Sequence, residues 1–216
     1  METPHPPATP EFGSVTRNAA PHVYPSGASF EVRKITVGAY DNNVYALRSG
    51  GQVLIVDGAD EPDRIAAMAG DDEVVGIVQT HGHFDHVQAL ASLVERFRCP
   101  VRAHPADPMP VTTVPLSHGE TIRVGETDVT VLHTPGHTPG SVCFLAGSFL
   151  FSGDTLFPGG PGNTRGNPAA FAQIMQQLDE HLFTLPDDTR VCPGHGLDTT
   201  IGRERPHVEV WRERGW

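Results

Sequence analysis

A layered α/β sandwich is the fold class this sequence predicts, and three observations lead there. Short apolar runs with strand-like patterning fall into two groups along the chain, each accompanied by at least one segment of helical periodicity, the arrangement expected of sheets packed beneath helices. The chain has 216 residues, enough for a multilayer core in one domain. Its composition is that of an ordinary globular protein, with 38% hydrophobic and 19% charged residues.

The elements follow in order. Residues 1–28 carry Pro4, Pro6, Pro7, Pro10, Pro21 and Pro25 with little hydrophobic periodicity, and are expected to form an extended or poorly ordered arm before a single domain over 29–216. Phe30, Val32, Lys34 and Thr36 then alternate with Glu31, Arg33, Ile35 and Val37 as a first strand. Val44–Leu47 and Val53–Val56 read as a hairpin joined through Ser49-Gly50-Gly51. Pro62–Ala69 reads as a short helix with proline in its first turn, and Val74–Gln79 as a buried strand. Val87, Leu90, Leu93, Val94 and Phe97 share a helical face, so one helix is expected over 87–97, followed by a strand at Val101–His104.

The second group begins with Thr121–Val124 and Val129–Leu132 around Gly125-Glu126, and continues with Val142–Leu145 and Phe149–Phe151 around Ala146-Gly147-Ser148. A Gly/Pro loop over 158–167 leads to an amphipathic helix over Ala169–Leu182, with Phe171, Ile174, Met175, Leu178 and Leu182 on one face. Arg190–Cys192 is the last strand, and a helical end of the chain is expected.

Composition also narrows the function. Fifteen basic against 26 acidic residues give a formal net charge of −11, which repels phosphate backbones and argues against nucleic acid as a partner. The C-terminal arginines 203, 205, 212 and 214 are interrupted by acidic residues, as on a solvated helix face. Cys99, Cys143 and Cys192 are an odd count without regular spacing, so no disulfide framework is expected and a reducing compartment fits. No apolar run reaches the ~18 residues of a membrane span, and Met1–Pro10 lacks the basic and apolar regions of a signal peptide. A cytoplasmic location and no membrane partner are expected.

Twelve histidines are more than composition explains. The run Thr80-His81-Gly82-His83-Phe84-Asp85-His86 places four metal-ligand candidates, His81, His83, Asp85 and His86, within six residues at a strand-to-loop junction. Imidazoles and carboxylates suit zinc, iron or manganese, and gathering them without an ion would leave unpaired polar atoms at ~1–3 kcal/mol each. His137, Asp154 and His195 repeat the theme, each after a strand and bracketed by glycine or proline, in loops of the kind that present functional side chains. Asp57 ends another strand, where a simple turn residue is the other reading. His5 and His22 fall in the arm; His104, His118, His133, His181 and His207 read as structural or exposed, His133 having a chance of lining the site.

Asp57, the His81-x-His83-x-Asp85-His86 run, His137, Asp154 and His195 stand in the order of the five motifs of the metallo-β-lactamase superfamily, which the chain resembles from about Phe30 to its end. The resemblance implies a four-layer αβ/βα sandwich with two divalent metal ions, zinc first and iron or manganese as alternatives, at the edge between the sheets. It implies that His81, His83 and His137 hold the first ion, that Asp85, His86 and His195 hold the second, that Asp154 bridges them, and that Asp57 orients a ligand by hydrogen bond. An aspartate bridge, together with the segments 133–140, 153–162 and 185–202 and Asp41-Asn42-Asn43, resembles the short glyoxalase II-like group. The activity implied is hydrolysis of an S-2-hydroxyacyl thioester, in which hydroxide generated at the ions attacks the thioester carbon and Asp85 helps orient it.

Two departures qualify that expectation. Only 21 residues follow His195, so the helical domain that grips glutathione in full-length relatives is expected to be missing and the thiol carrier is open. The group's Gly-Gly pair after the metal run is Gln88-Ala89 here. Arg165, in the loop after Asp154, is the candidate to meet a substrate carboxylate, with a solvated loop arginine as the other reading. A persulfide dioxygenase with one iron, a lactonase, and a non-catalytic metal-binding protein on the same fold remain alternatives to the thioesterase.

Overall fold

The computed structural model describes residues 13, 15–24 and 29–215, so the expectations for His5 and for Pro4, Pro6, Pro7, Pro10 and Pro25 fall outside the described residues. Two large sheets and their helices are separated by three apolar cores, which define four layers. The first sheet runs β1 (His22–Val23), β2 (Glu31–Val37), β3 (Asn42–Ser49), β4 (Gln52–Val56), β5 (Glu73–Val78), β6 (Val101–Ala103), β7 (Val114–Pro115). Its pairings are antiparallel up to β4 and parallel from β4 onward. The second takes β8 (Thr121–Val124), β9 (Thr127–His133), β10 (Val142–Ala146), β11 (Phe149–Gly153), β14 (Arg190–Pro193) and β15 (Thr199–Thr200), in the order β15-β14-β11-β10-β9-β8. β12 (Leu156–Phe157) and β13 (Gly160–Pro161) form a small ribbon between them in sequence.

The pleat explains the layering, because successive side chains point to opposite faces. On β3, Tyr45 and Leu47 enter the core between the sheets while Val44 and Ala46 face the helices α1 (Pro62–Ala69) and α3 (Leu90–Phe97). On β10 and β11, Phe144 and Phe151 point inward while Cys143 and Leu150 meet α4 (Pro168–Gln177) and the C-terminal helices α5 (Ile201–Glu204) and α6 (Val208–Arg214). The αβ/βα sandwich expected from the sequence is therefore the observed fold. No helix among the described residues is long and apolar enough to cross a membrane.

Several boundaries differ for identifiable reasons. The helix expected over 87–97 starts earlier and is broken into α2 (Phe84–Val87) and α3. At the break, the His86 carbonyl accepts from Gln79 Nε2 at 2.9 Å, and the Ala89 amide donates to Gly58 and Ala59 carbonyls at 2.9 and 3.2 Å. The helix expected over 169–182 starts at Pro168, capped by Asn167 Oδ1, and beyond Gln177 widens into a π turn over Leu178–Leu182, with Phe183 N donating to the Leu178 carbonyl at 2.7 Å. The two-residue strands β1, β7, β12, β13 and β15 were unforeseen, being too short to carry a periodic pattern. Within the segment expected as an arm, β1 pairs with β2, and Tyr24 is buried with its hydroxyl 2.7 Å from Asp198 Oδ2.

Candidate metal centre

Asp57 follows β4, His81 to His86 follow β5, His137 lies between β9 and β10, Asp154 follows β11, and His195 follows β14. The five ends meet at one edge of the sandwich. Backbone bonds lace the two sheets there, Val142 N to Thr80 O at 2.8 Å and Asn43 N to Gly194 O at 2.7 Å, while Gly194 N to Gly153 O at 2.8 Å extends the β11–β14 pairing within the second sheet. Glycine at 194 is required by close approach, since a Cβ there would lie 2.3 Å from Asp154 Oδ1 and 2.8 Å from His86 Cε1.

All seven ligand candidates come together. His83 Nδ1 lies 3.0 Å from His81 Nε2 and 2.9 Å from His137 Nε2. A second group joins His86 Nε2 to His195 Nε2 at 3.2 Å, with Asp85 Oδ2 3.6 and 3.3 Å from those two atoms. Asp154 stands between, 3.4 Å from His137 Nε2 on one side and 3.5 Å from His86 Nε2 on the other. The expected trios His81/His83/His137 and Asp85/His86/His195 are each within the reach of one ion, as is His81/His86/Asp154.

Neighbours outside this cluster decide which ring nitrogen faces in. Carbonyl oxygens only accept, so His137 Nδ1 donates to Asn163 O and His195 Nδ1 to Tyr40 O, both at 2.9 Å, which turns each Nε2 to the centre as a ligand atom. His86 Nδ1 meets Asp57 Oδ2 at 2.8 Å. Asp57 also accepts from Thr80 N and Thr80 Oγ1, both at 2.8 Å. With its proton given to Asp57, the Thr80 hydroxyl accepts from His81 Nδ1 at 3.1 Å, and His81 Nε2 is left free as a ligand. Asp57 is itself buried, in a left-handed conformation (φ 66°), so it does more than terminate a strand.

The donor set fits divalent cations. Donors in the two groups sit 2.9–3.6 Å apart, bracketing the edge of about 3.3 Å of a tetrahedron with Zn–N bonds near 2.0–2.1 Å. Asp154 Oδ1 is buried without a hydrogen-bond partner, an arrangement that costs ~1–3 kcal/mol unless a cation takes it up.

Electrostatics split the two groups. Burial first, and then the neighbouring imidazoles, hold His81 well below the ordinary histidine range; burial likewise lowers His83 and His137. Burial works against the charged form of His86 too, but the Asp57 hydrogen bond and charge, helped by Asp154 and Asp85, raise it to about 9. Asp85 is pushed up by burial, yet the amide of Asn42, 2.9 Å from Oδ2, and the charge on His86 bring it below its usual value. An ion entering the second group must displace the His86 proton. Its affinity should therefore rise by about tenfold per pH unit from neutrality to about 9 and level off above. Affinity at the first group, whose imidazoles are already neutral, should be flat over that range. Competition titrations against a chelator from pH 6.5 upward would read the two slopes, and parallel slopes would contradict the assignment. In the ion-free protein the same raised value means that stability from the Asp57–His86 contact, full below the ordinary histidine value near 6.5, is lost as pH rises through about 9.

Other candidates settle elsewhere. Arg165 is at the rim, with Nη2 3.1 Å from His83 Nε2. His133 stacks on His104 at 3.8 Å between ring centroids and bonds the Pro139 carbonyl, outside the ligand groups. Cys192 is buried in the core between the sheets, its thiol pushed up by burial. Residues not foreseen as part of the site are Gln79, whose amide bridges Gly58 N and the His86 carbonyl, and Asn42, whose amide holds Asp85. The pair Asn42-Asn43 was visible only through the family resemblance, and Gln79 gave no signal.

Residues 37–195 match the model of the metallo-beta-lactamase superfamily. An uncharacterized protein of Aquifex aeolicus is 36% identical over 197 residues, 81% of this chain and 93% of that one. Among solved structures, ETHE1 from Myxococcus xanthus shares 32% identity over 82% of each chain with a TM-score of 0.75. TTHA1623, crystallised in a di-iron-bound form, shares 35% identity over 80% of this chain and 96% of its own, with a TM-score of 0.70.

Proposed function

This chain belongs to the metallo-beta-lactamase superfamily, and we propose that within it the protein is a dinuclear-metal thioesterase of the glyoxalase II type, acting on S-2-hydroxyacyl thiols. The observation that carries the reading is Asp154, whose carboxylate lies within 3.5 Å of donors from both histidine groups, the place of a bridging ligand. His81, His83 and His137 would hold one ion and Asp85, His86 and His195 the other, zinc being the first choice by ligand chemistry. Divalent ions so held acidify water and polarise a carbonyl oxygen.

The chain's own residues supply the rest. Asn42 orients the Asp85 carboxylate, which in turn helps orient the attacking hydroxide. Arg165, beside His83, meets a carboxylate on the substrate. Water adds to the thioester carbon, the carbon–sulfur bond breaks, and the sulfur leaves as a thiolate, which at a thiol pKa of about 8.5 needs no strong proton donor. The net charge of −11 fits a diffusible small molecule better than a phosphate polymer, and a cytoplasmic location completes the reading.

The likeness to Myxococcus ETHE1 favours one second reading, a persulfide dioxygenase. Metal analysis with a thioester panel separates them. Purified protein loaded with zinc, iron or manganese is expected to hydrolyse a thioester, and His83→Ala to lose at least ~10²-fold in rate. Oxygen uptake with a thiol persulfide, dependent on one iron per chain and without thioester turnover, would overturn the hydrolase; full activity in His83→Ala would overturn the site.

A further inference from the structure

One buried carboxylate near the centre belongs to neither histidine group. Asp107 follows β6 in the connection to β7, anchored by its amide to the His104 carbonyl at 3.2 Å. Its side chain reaches two ligand-bearing loops at once. Oδ2 accepts from Gly82 N at 2.8 Å and from Thr138 Oγ1 at 2.7 Å, and Oδ1 accepts from Gly140 N at 2.7 Å. Gly82 lies between His81 and His83 in the first sheet's loop; Thr138 and Gly140 follow His137 in the second sheet's loop.

The same contact accounts for two glycines of the motifs. A Cβ on Gly140 would fall 2.6 Å from Asp107 Cγ, and one on Gly82 would fall 3.0 Å from Asp107 Cβ and 2.8 Å from the Pro108 carbonyl. Neither glycine has a positive φ, so it is closeness to this segment, not backbone conformation, that keeps them bare. Three charge-assisted bonds to a buried acceptor are strong and directional, and a metal triad tolerates only about 0.5 Å of error.

We propose that Asp107 is a positioning residue for the His81/His83/His137 group: it pins two loops from opposite sheets so that their imidazoles converge on one ion. The His195 side has its own anchors, Asn43 Nδ2 and Tyr45 Oη on the Pro193 carbonyl and Lys34 Nζ on the Gly196 carbonyl, so loss of Asp107 loosens one group and spares the other. The inference rests on the ligand assignment proposed above and not on the thioesterase reading.

Cobalt(II) titration of the ion-free protein, followed by d–d absorption, tests it. Wild type should take up two ions per chain, with His83→Ala and His195→Ala each marking the loss of one group. Asp107→Asn is expected to weaken the first group by at least ~10-fold and to alter its absorption band, while the second group stays within about twofold of wild type. Thr138→Val removes one of the three bonds and leaves the charge; it should shift the same group in the same direction by less, and it carries the test if Asp107→Asn does not fold. Unchanged affinity, or equal weakening of both groups, overturns the proposal, the latter marking Asp107 as a general structural residue. No cobalt uptake by wild type overturns it together with the ligand assignment. The readout is metal binding, so absence of thioester turnover would count against the function proposed above and leave this inference standing.

Discussion

Asp154→Asn is expected to reduce kcat/KM for thioester hydrolysis by roughly 10³-fold, the loss typical of removing a fixed charge from the reacting centre, and to leave no more than about one ion per chain. The asparagine keeps the size of the side chain but loses the charge, and its NH₂ group turns two protons toward one of the histidine groups that now faces a carboxylate oxygen. The prediction has a second half. Asp154 Oδ1 makes no hydrogen bond within the protein, but it lies 3.5 Å from His86 Nε2 and helps hold that imidazole protonated up to about pH 9. Above that pH, where His86 is neutral and the attraction is gone, the ion-free variant should melt at the wild-type temperature or above it, by relief of a buried unsatisfied group worth ~1–3 kcal/mol. Metal analysis, kinetics and a melting curve on one preparation read both halves. Two retained ions with wild-type turnover would remove Asp154 from the role of bridge. A lower melting temperature in the ion-free variant at that pH would instead make it a structural residue.

The legible and illegible parts of this molecule divide along physical lines. The hairpin β3–β4 and the strands β10 and β11 announced themselves because both their faces are buried, so each reads as a short apolar run bounded by a glycine-containing turn. The proposed ligands announced themselves because few reasons other than an ion gather so many imidazoles and carboxylates in glycine-flanked loops. What the sequence did not disclose depends on contacts between residues far apart in the chain. The interruption between α2 and α3 is set by Gln79 and by the carbonyls of Gly58 and Ala59, none of which lies in the periodic segment. Asp57 reads locally as a turn residue, and its contact with His86, 29 positions away, was legible only through the family resemblance, which gave it the role of orienting a ligand without saying which one. Lys34 is the sharpest case: alternation placed it on the face shared with Phe30 and Val32, where a charged residue breaks the apolar pattern, and nothing nearby in sequence offered it a partner.

That partner is Asp198, and replacing Lys34 by methionine should be strongly destabilising although it lies outside the proposed ligand set. Lys34 and Asp198 are fully buried, with Nζ 2.9 Å from Oδ1. Nζ also donates to the Gly196 carbonyl at 2.8 Å, while Oδ2 accepts from the Tyr24 hydroxyl at 2.7 Å. Methionine fills the space of the lysine stem but leaves a carboxylate in the protein interior with its principal counter-charge gone, at a cost of ~3–5 kcal/mol. For a domain of this size that corresponds to a fall in Tm of roughly 6–20 °C. Removing both charges in Lys34→Met/Asp198→Leu leaves no buried carboxylate and takes from the part-exposed Arg190 only a 3.6 Å contact with Asp198 Oδ2, so much of the loss should return, which separates the pair's electrostatics from simple packing. The location gives the effect a functional edge. Gly196 and Asp198 directly follow His195 in its loop, and Asn43 and Tyr45 hold the same loop from the other side through the Pro193 carbonyl. In Lys34→Met the second cation group should therefore weaken while His81, His83 and His137 bind as before, the mirror image of the effect expected at Asp107. A melt within about 0.5 kcal/mol of wild type, the range of an ordinary surface change, would show that the buried pair is not what anchors this edge of the sandwich.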